Sequence, residues 1–256
     1  GEETWANVPN SVGPVMKNEI PGIEAQMRMW EFNYGEKAMI NANSNKFSQE
    51  NFFWADSSLM EIFDLKFLAG DPNTALNGPN KVILSKSVAE RYFPGMEAVS
   101  QTIKIENSLI LEVTGVYEDF PLNSTLDAEI IGSFPTVGRM FRDLTWDNSS
   151  FETYFLLNAK ANPRLIEKQM ADVLNKYVAK DQQWQKFALQ ALKDVHLHSA
   201  EITDSYTARS GDPQQVRILI ILAIVILVIA CINYMNLATA RAQQRFREVG
   251  ITKAVG

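Results

Sequence analysis

Cysteine is almost absent from this chain of 256 residues: Cys231 is the only one. It lies inside a hydrophobic run, so the polar part of the chain forms no disulfide, which fits a domain large enough to fold without staples. Histidine is nearly as scarce, with only His196 and His198. Nucleophilic catalysis needs a base, and a metal site usually needs three or more ligands. On an extended segment the alternate spacing of the two histidines would put both rings on one face, where a carboxylate such as Asp194 or Glu201 could complete a weak metal set. Surface or turn residues are the plainer reading. The glycines are scattered, and neither GxxxxGK[ST] nor GxGxxG occurs, so the chain carries no phosphate-cradling loop. Positive charge is also short: 24 Lys and Arg stand against 30 Asp and Glu, a formal net charge of -6. With no basic cluster before Arg217, nucleic acid is excluded as a partner. The opening Gly1, Glu2, Glu3, Thr4 and Trp5 have no apolar core behind them. No signal peptide is read there, and the expectation is an upstream transmembrane helix in a longer membrane protein.

What is present in abundance is one apolar stretch. Ile218 to Ile232 is unbroken apolar sequence, and Asn233 to Ala240 continues it without charge. About 23 charge-free residues make a helix of roughly 35 Å, enough to cross a hydrocarbon core of about 30 Å. A soluble core helix apolar on every face would need a much larger protein around it. The basic flank, Arg241, Arg245, Arg247 and Lys253 against Glu248, lies on the C-terminal side only. The positive-inside rule then places Gly256 in the cytoplasm and residues 1–217 outside.

The rest of the chain reads as α+β. Ser11 to Ile20 predicts a short helix, closed by Pro21 and Gly22. Strands are expected at Ile23 to Phe32, Ala38 to Ile40, Asn51 to Ala55 and Leu65 to Leu68, with a helical turn at Ser58 to Phe63. Val82 to Ser85 and Lys86 to Tyr92 read as strand then helix. Thr102 to Glu106, Leu109 to Tyr117 and Leu126 to Ile131 read as further strands, with Asn107 and Ser108 as a hairpin turn. After Asn148 the pattern changes to strand–helix–strand. Glu152 to Ala159 leads to a helix capped by Asn162 and Pro163 and running to Val178, and Phe187 to Leu192 is the matching strand. The two ends of the chain therefore look like one unit, with a strand-rich middle inserted.

Three acids and three aromatics invite a catalytic or ligand reading. Asp71, Asp119 and Asp127 could pair for acid–base work. Asp71 and Asp119, however, stand beside Gly or Pro in turns, where Asp accepts local backbone bonds. Phe52, Phe53 and Trp54 could line a groove, although strand aromatics are more often core. Asn233 and Asn236 lie one helical turn apart in the apolar stretch. They either bond a neighbouring helix or sit hydrated near the interface.

The segment Ala230 to Arg241, followed by Arg245 to Gly256, resembles the second transmembrane helix and cytoplasmic segment of FtsX-like permeases, the membrane subunits of MacB-type ABC transporters. Phe67 to Ser85 with Ala89 to Phe93, Val113 to Ser124, and Leu192 to Ser199 resemble the MacB-like periplasmic core domain. Two departures from that pattern matter, one a four-residue stretch and one a single position. Ala98, Val99, Ser100 and Gln101 stand where the family reads Pro-Ile-Gly-Lys, and Thr252 stands where it has Arg.

The resemblance implies a two-subdomain periplasmic domain followed by one transmembrane helix. Porter-like βαβ halves fall at 1–65 and 150–212, with a strand-rich subdomain inserted at 66–149. A transmembrane helix with its periplasmic stalk follows at 213–240, and a cytoplasmic juxtamembrane segment at 241–256. It also implies a permease of a bacterial inner membrane whose periplasmic domain couples cytoplasmic ATP hydrolysis to export or release of cargo. ATP and Mg2+ would be held by a partner ATPase, so the chain itself is expected to be no enzyme and to carry no cofactor or metal. Arg245, Arg247, Glu248 and Lys253 would face that ATPase, and Asn233 and Asn236 a neighbouring helix. A second permease copy or paralogue and a periplasmic adaptor or cargo are the other implied partners. The alternative is the periplasmic ligand-sensing domain of a transmembrane receptor.

Overall fold

The structure is a computed structural model that describes residues 3–32, 36–138, 140–141, 143–199, 201–203, 205–206 and 211–256; in the last of these, the side chains of 244–250, 252, 254 and 255 lie outside the description. The chain opens with β1 (Thr4–Trp5), α1 (Val12–Glu19) and β2 (Ile23–Glu31). There follow β3 (Ala38–Ala42), β4 (Asn45–Gln49), β5 (Phe52–Ala55), α2 (Leu59–Ile62) and β6 (Phe67–Gly70). Next come β7 (Lys81–Ser85), α3 (Lys86–Tyr92), β8 (Thr102–Ile105), β9 (Leu109–Tyr117), β10 (Ile130–Ser133) and α4 (Phe134–Val137). The chain closes with β11 (Glu152–Leu157), α5 (Pro163–Tyr177), α6 (Leu192–His198), β12 (Ile202–Thr203) and α7 (Pro213–Val255). Two compact units result, one spanning residues 1–196 with 201–210, the other 197–200 with 211–256.

Ten strands of the first unit share one mixed sheet, ordered β11-β2-β5-β10-β7-β9-β8-β3-β4, with β6 added on β9. Only β10 with β5 and β7 with β9 run parallel within it. The short β1 pairs separately with β12. The sheet is continuous across residues 66 and 149: β5 pairs β10, and β2 pairs both β5 and β11.

Local chemistry explains most element boundaries. Asn162 caps α5 by accepting from the Arg164 amide at 3.1 Å, with Pro163 in the first turn, as expected. The inward stripe of α5, Ile166, Met170 and Val173, packs with Val12, Met16, Ile20 and Ile23 in a small core of its own. Ser85 caps α3 through the Val88 amide. Asn43 and Ser44, at φ 45° and 64°, make the two-residue turn between β3 and β4. The β8–β9 turn is centred on Glu106 and Asn107, at φ 46° and 57°, one residue earlier than expected, and the Ser108 amide bonds Ile105 O at 3.0 Å.

Two expectations need correction, and one strand lies outside them. Phe187 to Leu192 forms no strand among the described residues. Residues 183–190 do alternate between half-buried and exposed, and Phe187 and Leu189 pack on the α5 core. A Glu167 side-chain oxygen takes the Leu189 amide at 2.8 Å instead of a ladder carbonyl. The side-chain alternation of a strand is present, but the partner strand is not. The second βαβ half is therefore not closed by a strand. The segment that follows, read as extended, is helix α6, which also absorbs Leu192. Strand β4 was not anticipated, because Asn45 to Gln49 is polar apart from Phe47.

Candidate functional site

Ser205 and Tyr206, which follow β12, meet the sheet at one buried carboxylate. Glu152 opens β11 and is 6% exposed. One of its oxygens, Oε2, accepts the Tyr154 hydroxyl at 2.6 Å. The other, Oε1, accepts the Ser205 hydroxyl at 3.0 Å and the Tyr206 amide at 2.6 Å. Tyr206 is fixed at its far end too, where its hydroxyl donates to Ser150 O at 2.6 Å, and its ring lies 5.9 Å from that of Phe53. Strand pairing sets Glu152 opposite Met29, and Glu31 opposite Phe53, so a second acid stands two residues along β2 from Met29. Burial pushes the Glu152 carboxyl above the ordinary carboxylate range, against the pull of its three donors. Burial, and then the charge of Glu152, raise Glu31 in the same direction. Neither residue was singled out from sequence. The one available signal was an acid in phase with Tyr154, at a position facing Met29.

The second element is α7 itself. Asp212 caps it by accepting the Gln214 amide at 2.7 Å, with Pro213 in the first turn. Pro213–Gln243, 31 residues, is long and apolar enough to cross a membrane; its most apolar 18 residues have a mean hydropathy of 3.0, and none of them is buried in this chain. The helix then continues to Val255, so the basic flank is part of the same rod rather than a separate segment. Asn233 and Asn236 stand exposed within the span. Lys253 is exposed near the end of the helix, while the side chains of Arg245, Arg247 and Glu248 lie outside the described residues.

The other candidates fall into structural roles. Asp71 accepts the Asn73 amide at 3.0 Å and the Thr74 hydroxyl at 3.2 Å, and these bonds, the Asn73 amide first, hold its carboxyl below the usual range. Asp119 loses charge stability to partial burial but gains more from the Ser87 hydroxyl and amide at 2.7 and 3.1 Å, leaving it lowered. It thus supplements the cap of α3. Asp71 is satisfied within its own turn and Asp119 at the start of α3, so the two do not share a site. Phe52, Phe53 and Trp54 are buried in the core. His196 and His198 lie on helix α6, where residues two apart point about 200° away from each other, so the one-face geometry drawn for an extended segment does not hold. Among the described residues no cluster of His, Cys, Asp and Glu is arranged to hold a metal ion.

A mixed α+β domain with a strand-rich sheet, joined in sequence to one apolar helix long enough to span a membrane, defines the class: a sheet domain with a membrane anchor. Residues 2–173 match the family model of the MacB-like periplasmic core domain, and the chain belongs to that family. Solved structures share the fold. A domain from Porphyromonas gingivalis, described as part of a permease protein, aligns with a TM-score of 0.61 at 17% identity over 73% of this chain and 84% of that one. The periplasmic region of MacB from Actinobacillus actinomycetemcomitans aligns with a TM-score of 0.52 at 13% identity, covering 66% and 74%. The extracellular domain of the noncanonic ABC-type transporter YknZ from Gram-positive bacteria gives 0.50 at 16%, covering 67% and 84%. Among curated proteins no relative matches. Family membership makes the chain a permease component of the MacB-like transporter class, membrane-associated and with a periplasmic segment. That class is generally non-enzymatic and implies a cytoplasmic ATPase partner.

Proposed function

We propose that this chain is a permease-subunit segment of a MacB/FtsX-type ABC transporter, and that its periplasmic domain couples ATP hydrolysis in the cytoplasm to export or release of cargo in the periplasm. The observation that carries the reading is the continuity of α7. It runs 43 residues without a break from the Asp212 cap, through the apolar span, into the basic end. At 1.5 Å per residue this is a rod of about 65 Å, longer than a bilayer is thick. A stiff helix passes displacement along its axis, whereas a flexible linker would absorb it.

In this reading the basic end lies in the cytoplasm, where the positive-inside rule puts it. Arg245, Arg247, Glu248 and Lys253 face the ATPase, which binds ATP and Mg2+. Asn233 and Asn236 bond a neighbouring helix of the same subunit or of a second permease copy or paralogue. A periplasmic adaptor or the cargo itself meets the periplasmic domain. The domain divides into 1–65 with 150–212 and an inserted 66–149. In support of that division, the fully buried residues of the core between α1 and α5 all come from the two ends of the chain, with Trp146 the one side chain of 66–149 packed against them.

Affinity purification of the full-length protein from its native membrane, followed by mass spectrometry, tests the reading. A P-loop ATPase recovered at about equal stoichiometry is the expected result. Recovery of the protein with no ATPase, separate or fused, would overturn it.

A further inference from the structure

Asn77 and Gly78 are the one Asn-Gly pair in the chain, and they stand in the turn that joins β6 to β7. Asn77 is exposed and Gly78 half-buried. Gly78 holds φ 91°, and nothing lies within 4 Å of the place its Cβ would take. Among the described residues the Gly78 amide has no hydrogen-bond partner. At two Asn-Ser steps the corresponding amide is engaged. After Asn107 the Ser108 amide donates to Ile105 O at 3.0 Å, and after Asn123 the Ser124 amide donates to Pro121 O at 2.8 Å. The Asn77 side chain makes one bond, from Nδ2 to Asn73 O at 2.8 Å. The turn is pinned on both sides of the pair. Ala75 and Leu76 are buried, and Thr114 Oγ1 donates to Ala75 O at 2.6 Å. Beyond Gly78, the Asn80 amide donates to Thr136 Oγ1 and Asn80 O accepts the Glu112 amide, both at 2.8 Å.

We propose that Asn77–Gly78 is a site of spontaneous deamidation, at which the folded domain gains a carboxylate and its β6–β7 turn is loosened for good. Asparagine is a thermally labile side chain, and glycine, lacking Cβ, gives the closest backbone approach. The Gly78 nitrogen attacks Asn77 Cγ. The new N–Cγ bond closes a five-membered imide, the Cγ–Nδ2 bond breaks, and the Gly78 amide hydrogen leaves with Nδ2 as ammonia. Water then opens the ring, at Cγ to give aspartate or at the main-chain carbonyl carbon of residue 77 to give isoaspartate. Nothing is oxidised or reduced, and water is the only co-reactant. Both products lose the Nδ2 donor and turn a carboxylate toward Asn73 O, in a turn that already holds the Asp71 carboxylate. Isoaspartate also adds a methylene to the backbone between two pinned points. The proposal does not rest on the transporter reading.

Ageing the full-length protein in lipid at pH 6 and pH 8, followed by peptide mapping that separates aspartate from isoaspartate, tests the site. The peptide holding residue 77 should gain about one dalton and appear as both products. Conversion should be faster at pH 8, because the attacking amide must lose its proton, and should run within a few-fold of the rate in the urea-unfolded chain. Asn107 and Asn123 should stay unconverted in the folded protein. Gly78→Ala should slow conversion several-fold, and Asn77→Gln should abolish it. Aged protein should also melt below fresh protein, whereas Asn77→Gln should melt alike before and after ageing. Conversion in the unfolded chain but not in the folded one would overturn the proposal, as would equal conversion at Asn107 or an unchanged rate in Gly78→Ala. Converted protein that melts with the fresh sample would overturn the loosening of the turn.

Discussion

The guanidinium of Arg28 grips the carboxylate of Asp56 twice, Nε to Oδ2 and Nη2 to Oδ1, both at 2.9 Å. Oδ2 also accepts the Arg28 amide at 3.0 Å, Nη1 donates to Asn10 O at 3.3 Å, and the planar group lies 4.2 Å over the Phe134 ring. One side chain thus ties β2 to the end of β5, to the entry of α1 and to α4. Both members are largely buried, so removing one strands the other. Arg28→Ala or Asp56→Ala should cost on the order of 3 kcal/mol in urea unfolding, and Arg28→Met with Asp56→Leu should recover most of it. A cost near zero for either single change would show that the pair is merely tolerated.

Gly132 lies against the Trp54 ring, directly where a Cβ would go. Trp54 is 1% exposed and packed in the main core, so it has little room to withdraw. Gly132→Ala should lower stability by about 1–3 kcal/mol through overpacking, while Gly78→Ala, where a Cβ meets nothing, would pay only for its positive φ. Thermal unfolding of the two variants side by side checks the difference.

Stability should pass through a maximum in mildly acidic solution. Glu152 and Glu31 have folded values above their ordinary 4.5, so the stability they contribute is complete below that value and is lost as pH rises through the raised ones. Asp119 runs the other way. Its folded value is below the ordinary 3.8, so its contribution is present above 3.8 and is lost as pH falls through the lowered value. Urea midpoints between pH 3 and pH 8 should show both limbs, and Glu152→Gln should flatten the alkaline one only.

Asn233 and Asn236, three residues apart in an apolar span, test the assembly. Their replacement by Leu should leave membrane insertion intact and weaken helix association by about 0.6–2 kcal/mol, read as a shift from dimer to monomer in detergent. An unchanged oligomer would assign both side chains to interfacial hydration.

Much of this fold was legible because local chemistry fixed it. The Asn162–Pro163 start of α5 carries a cap and a periodic stripe, the unit at 81–92 a strand run into a capped helix, and α7 a cap before an unbroken apolar run. Where the outcome depended on a distant partner, the sequence was silent or misleading. Phe187 to Leu192 has the alternation of a strand and lacks only a neighbour to pair with. The histidines belong to a helix whose preceding residues gave no periodic signal. Nothing in the order of residues marks Glu152 as buried, because its burial comes from Ser205 and Tyr206, more than fifty positions away. The membrane span was visible at once, since composition alone decides it.

The central claim is that α7 carries motion between the ATPase side and the periplasmic domain. The most direct measurement is ATP-dependent change in spin-label distances within the periplasmic domains of the reconstituted transporter, with and without two glycines inserted after Ala240. The account predicts a clear change with the intact helix and its loss after the insertion, while ATP hydrolysis persists. The same change seen with the helix interrupted would contradict it.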